Sequence, residues 1–115
     1  MTMPVARPTS HTLPENLVQD IKKMVFGVSP GADVVLFGSR ARGEARPESD
    51  YDLLILAQEP LTPLQREALN ESLYEIELRH SIVIAAIVFD RARWETPQYQ
   101  VTPLHQHIDR EGIVL

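Results

Sequence analysis

Apolar residues at Leu17, Ile21, Met24 and Val25 recur at three- and four-residue spacing. One buried face of a helix opening at Pro14-Glu15 fits that pattern. Gly27 and the Ser-Pro-Gly-Ala-Asp run behind it close the helix. Asp33 to Phe37 reads as a short buried strand stopped by Gly38. Ser39 to Gly43 fits one helical turn, and Glu44 to Ser49 is a loop in which Pro47 blocks regular structure. Tyr51 to Ala57 is a second strand. Leu64 to Leu78 is the clearest helix, with Thr62 as N-cap and Pro63 at the first helical position. Leu64, Ala68, Leu69, Leu73 and Ile76 form its expected inner face, and Glu67, Glu71 and Glu75 a solvated acidic stripe. Ile82 to Phe89 is apolar without a break, which predicts a third strand in the middle of a sheet. Asp90 is expected to cap a short helix containing Trp94. Pro103 to Arg110 is a last helix ended by Gly112, with Ile113 to Leu115 extended behind it. The order is α-β-β-α-β-α, an α/β (α+β) arrangement in which the long helix crosses over between strands two and three. Residues 1–12 are expected to be a flexible tail and 13–115 one domain.

Composition narrows the function. The 115 residues contain no cysteine, which excludes disulfides and thiolate zinc sites. No apolar run approaches the length of a membrane span, and the start of the chain lacks the apolar core of a signal peptide, so a cytoplasmic protein without membrane contact is expected. The net charge of −5 argues against direct nucleic-acid binding, because phosphate contacts demand a basic surplus. The cluster Arg40, Arg42, Arg46 instead favours a small anionic ligand. The oligomeric state is open, a homo-oligomer included.

The chemistry concentrates between Gly38 and Asp52. Alternate strand residues share a face, so Asp50 and Asp52 point the same way. Two carboxylates that close resist joint ionisation, and a divalent cation resolves the conflict. Mg²⁺ commonly takes one or two carboxylates together with substrate phosphates. Gly38 permits a sharp turn and close ligand approach, and Ser39 starts a helical turn whose amides and hydroxyl suit phosphate. Arg40, next to Ser39, is the arginine expected to contact phosphate. Phosphates on one side and metal on the other is the layout of a nucleotidyl-transfer site. His11, His80, His105 and His107 lack metal-ligand company, and His105 and His107 are expected at the surface; Trp94 and Phe89 are expected in the core. No Gly-x-Ser-x-Gly elbow, Walker A or Gly-x-Gly-x-x-Gly motif is present.

Gly38-Ser39, ten residues, then Asp50-x-Asp52 resembles the signature of the minimal nucleotidyltransferases (MNT) of the DNA polymerase beta-like superfamily. Ala41, Gly43 and Ser49 extend the likeness, as does the ending from Pro103 to Leu115. The resemblance implies the nucleotidyltransferase fold, a small mixed β-sheet backed by helices. It implies transfer of a nucleoside monophosphate, AMP from ATP, to a hydroxyl. Gly38 and Ser39 would hold the β- and γ-phosphates; Asp50 and Asp52 would be catalytic and hold Mg²⁺. Many small members are antitoxins that adenylylate a tyrosine of a helical HEPN toxin, so a HEPN-domain partner is implied. Active members carry a third acid on a neighbouring strand. The expected strand here, Ser81 to Phe89, has no carboxylate, and the missing acid's place falls at or next to Val83. A catalytically impaired module that regulates its partner by contact is the alternative, and a nucleotide-sensing regulatory subunit a further one.

Overall fold

A computed structural model describes residues 13–115 of the protein. The expected tail, 1–12, and His11 within it lie outside the described residues. The elements run α1 (Glu15–Val28), β1 (Asp33–Phe37), α2 (Ser39–Arg42), β2 (Tyr51–Ala57), α3 (Pro63–His80), β3 (Ile84–Asp90), α4 (Arg91–Trp94), α5 (Pro97–Gln100), α6 (Pro103–Glu111) and β4 (Ile113–Val114).

The four strands form one mixed sheet in the order β3-β2-β1-β4. β1 pairs antiparallel with β2, from Asp33 opposite Leu56 to Phe37 opposite Asp52. The crossover through α3 makes β2 and β3 parallel, with Asp52 opposite Ala85. β4 returns antiparallel against the other side of β1.

Helices cover both faces. On one, Leu17, Ile21 and Val25 of α1 and Leu69, Leu73 and Ile76 of α3 pack over Val34, Leu36, Leu53 and Ile55. On the other, Trp94 and Ile108 pack over Val35, Leu54 and Leu56. Each fully buried aliphatic side chain contributes about 1.5–3 kcal/mol. This two-sided burial explains why β2 reads as a continuous apolar run after Asp52.

The start of α3 is a capping box. The Thr62 hydroxyl accepts from the Gln65 amide at 3.1 Å, and the Gln65 side-chain oxygen accepts from the Thr62 amide at 2.9 Å. Its end is tied to α1, where Asp20 meets Arg79 at 3.2 Å and His80 at 2.8 Å. Among the described residues no helix is long and apolar enough to cross a membrane.

Three expectations need correction. β3 is an edge strand, because β1 already occupies the other side of β2 and β4 continues the sheet beyond β1. Leu64 is 79% exposed: α3 begins at Pro63, beyond the sheet, and its buried stripe starts at Leu69. His105 is buried, 6% exposed, and stacks on Trp94 with ring centroids 4.3 Å apart. The Trp94 ring supplies the flat apolar surface that draws the imidazole inward. Asp90 does cap α4, accepting from the Arg93 amide at 3.1 Å.

Candidate active site

Gly38 ends β1 at φ +76°, ψ −157°, a conformation essentially reserved for glycine. A Cβ here would stand 3.0 Å from Asp52 Cγ and well inside contact distance of the carboxylate oxygen. Gly38 is therefore required twice, for the turn and for the room that Asp52 takes. The Gly38 carbonyl accepts from the amides of Ala41 and Arg42, each at 3.1 Å, which closes the single turn of α2. Ser39 thus opens a helical turn one residue after the glycine that faces the Asp52 carboxylate.

Asp52 sits within the sheet, between Phe37 of β1 and Ala85 of β3. Asp50 is exposed, one residue before β2 begins. Alternation along the strand puts Asp52 on the Trp94 side of the sheet, with Leu54 and Leu56. Burial pushes the Asp52 carboxyl above the ordinary range, and the neighbouring Asp50 charge pushes it the same way; the Arg42 charge opposes both. The protein thus holds two carboxylates in mutual conflict beside a loop cut to glycine size. That donor set fits a hard divalent cation completed by phosphate oxygens. It is a pair, not a cage: among the described residues no group of three or more His, Cys, Asp or Glu could hold a metal.

The arginines divide their work. Arg42 pairs with Glu44 at 2.8 Å and with Glu111 of α6 at 2.9 Å, which raises its pKa further. Arg40, expected on phosphate, has partners within the protein. Its Nε and Nη2 donate to the Ser49 carbonyl at 3.2 and 2.9 Å, and Nη2 also reaches the carbonyls of Arg46 and Pro47, each at 3.2 Å. The guanidinium carbon lies 3.9 Å from the centre of the Tyr51 ring. These contacts leave the fork facing the loop. The exposed Arg46 guanidinium forms no hydrogen bond or ion pair among the described residues.

The register also locates the missing acid. The β3 residues on the side of Asp52 are Ala85, Ile87 and Phe89, and the Val83 carbonyl accepts from Tyr51, beside Asp50. None is acidic. Asp90 is opposite Ala57, five register positions from the Asp52–Ala85 pair, or about 17 Å along the strand. Sequence reasoning missed the Arg42–Glu111 link and the Arg40–Tyr51 stack, since neither has a local spacing signal.

The nucleotidyltransferase domain family matches residues 16–107, and the chain belongs to that family. It is 40% identical over 58 residues to a probable protein adenylyltransferase MntA of Haemophilus influenzae, covering 50% of this chain and 51% of that protein. It is 36% identical over 58 residues to a putative protein adenylyltransferase of Methanocaldococcus jannaschii, covering 50% of this chain and 59% of that one. The chain therefore spans between half and three-fifths of the length of these curated relatives. A crystal structure of a toxin-antitoxin with AMP-PNP is similar at a TM-score of 0.49 and 22% identity, covering 61% of this chain and 55% of that one.

Proposed function

We propose that this chain is a Mg²⁺-dependent nucleotidyltransferase that moves AMP from ATP to a hydroxyl on a partner protein. The observation that carries the reading is the seating of Asp52 against Gly38, with the Asp50 charge close enough to act on the Asp52 carboxyl. Gly38 and Ser39 hold the β- and γ-phosphates; Asp50 and Asp52 hold the cation. Mg²⁺ bound there supplies positive charge to the phosphates and to the departing pyrophosphate. The acceptor oxygen forms a bond to the α-phosphorus as the bond from that phosphorus to the bridging oxygen breaks. Pyrophosphate leaves and the hydroxyl proton passes to solvent. The names of the two curated relatives support a protein as acceptor. The resemblance in the signature supports a HEPN-domain toxin as that protein and an antitoxin role for this chain.

A second reading has its own support. Val83 and Ala85 flank the two aspartates where an acid would assist deprotonation, a step general-base catalysis commonly speeds by about 10²–10⁴-fold. Without it the same fold serves as a module that binds nucleotide and restrains its partner by contact. Titration calorimetry of ATP, with and without Mg²⁺, on the wild type and on Asp50→Asn/Asp52→Asn tests the site. Radiolabelled ATP with the co-purified partner then separates the readings. A labelled partner supports transfer. A tight, unlabelled complex supports the contact module. ATP binding unchanged in the double variant sinks both.

A further inference from the structure

Asp50 and Asp52 are held by different means. Asp52 is locked by ladders on both sides. Asp50 lies outside the strand, at the end of the loop from Gly43 to Ser49, most of which is exposed. That loop has few ties of its own. The Ser49 amide donates to the Arg46 carbonyl at 3.0 Å, the Arg46 amide to the Ser49 hydroxyl at 2.9 Å, and the Glu44 amide to the Ser39 carbonyl at 2.9 Å. Glu44 is also held by its 2.8 Å ion pair with Arg42, and the stretch from Arg46 to Ser49 is held by Arg40. One guanidinium gathers the carbonyls of Arg46, Pro47 and Ser49 while its flat face rests on Tyr51.

We propose that Arg40 is a positioning residue: it braces Ser39 against the Ser49–Asp50 peptide and so sets the distance between the phosphate side and the metal side of the site. The inference rests on the reading of the site given above. The Ser49 carbonyl receives two of the four bonds, and its peptide plane fixes where the Asp50 Cα can stand. Arginine suits this role because a planar fork satisfies several fixed acceptors at once, and its face stacks on an aromatic ring. Lysine offers a point charge on a flexible stem and cannot do both. Tyr51 is buried between the two aspartates in sequence, so the ring that supports Arg40 is itself rigid.

Two measurements on the full chain test this. The first is Mg²⁺-dependent ATP affinity in a double-variant cycle of Arg40→Lys and Asp50→Asn. If Arg40 acts through Asp50, Arg40→Lys weakens binding about as much as Asp50→Asn, and the pair costs little more than either alone. Effects that add in full, or no effect of Arg40→Lys, overturn the proposal. The second is amide hydrogen exchange of residues 44–50, read without nucleotide. Arg40→Lys is expected to speed exchange there at least tenfold while the strand amides of β2 keep their protection. Unchanged loop exchange overturns the brace even in a protein that binds no ATP. Faster loop exchange in such a protein upholds the brace and removes the functional reading instead.

Discussion

Replacing Gly38 by alanine gives the sharpest check on the geometry. Two costs combine. The backbone at φ +76°, ψ −157° charges a non-glycine residue about 1–3 kcal/mol. The new methyl also meets the Asp52 carboxylate, with Cγ at 3.0 Å and Cβ at 3.2 Å, so the side chain must leave its rotamer at about 0.5–1.5 kcal/mol. The sum is about 1.5–4.5 kcal/mol, or roughly 6–18 °C in Tm for a chain of this size. Gly43→Ala is the matched control. Gly43 is also left-handed, at φ +75°, but a Cβ there meets nothing within 4 Å. It should lose only the backbone cost of about 1–2 kcal/mol. Both substitutions also stiffen the unfolded chain, and this common effect cancels in the comparison. Thermal unfolding followed by circular dichroism measures the difference, and calorimetry measures ATP binding alongside. Gly38→Ala should lose Mg²⁺-dependent binding through displacement of Asp52, whereas Gly43→Ala should retain it. A Gly38→Ala protein no less stable than Gly43→Ala, or one that binds as the wild type does, would refute the claim that Gly38 and Asp52 share one space.

Asp52→Asn should raise the Tm of the ligand-free protein at neutral pH: a carboxyl whose pKa is raised on folding binds more protons when native, so its ionisation opposes folding as pH climbs through and above the unfolded value of 3.8. A lower Tm for the variant at pH 7 would count against this, as would ATP binding that fails to weaken when acid protonates Asp52. Asp20 has the opposite sign. Its pKa is lowered, chiefly by the hydrogen bond from His80 and then by Arg79, so its contribution is present above 3.8 and disappears as pH falls through the depressed value. Asp20→Asn should flatten the acid limb of the Tm-versus-pH curve, and parallel limbs in the two proteins would show that the link from α1 to α3 carries no such charge dependence.

Local signals made most elements legible. Thr62-Pro63 marked α3 because capping and proline geometry act within a few residues, and Gly38 marked the end of β1 for the same reason. Asp52 was legible as a strand residue from the apolar run that follows it, and Asp50 lies one residue before that strand begins. What escaped depends on distant residues. The apolar run of β3 suggested a central strand, yet strand order is decided by which edges β1 and β4 have already filled. His105 looked like a surface residue until its partner Trp94, eleven positions away, was in place. Arg40 was expected on phosphate from its neighbour Ser39, and its contacts with three carbonyls beyond Gly43 have no local spacing signal.

The pairing of β4 with β1 bears on how the chain acquires its shape. Val35 and Leu36 meet Val114 and Ile113, and the Leu115 amide donates to the Val34 carbonyl at 2.9 Å. One side of β1 can be satisfied early by β2, which follows after a short loop. The other side waits for residues made after every other element. Contacts so far apart in sequence are slow to form, because loop closure precedes the reward. During synthesis one edge of β1 therefore stays unpaired until β4 has emerged from the ribosome. The Gly38 turn, at the end of that same strand, is synthesised before β2, β3 and β4, the strands that complete the sheet around it.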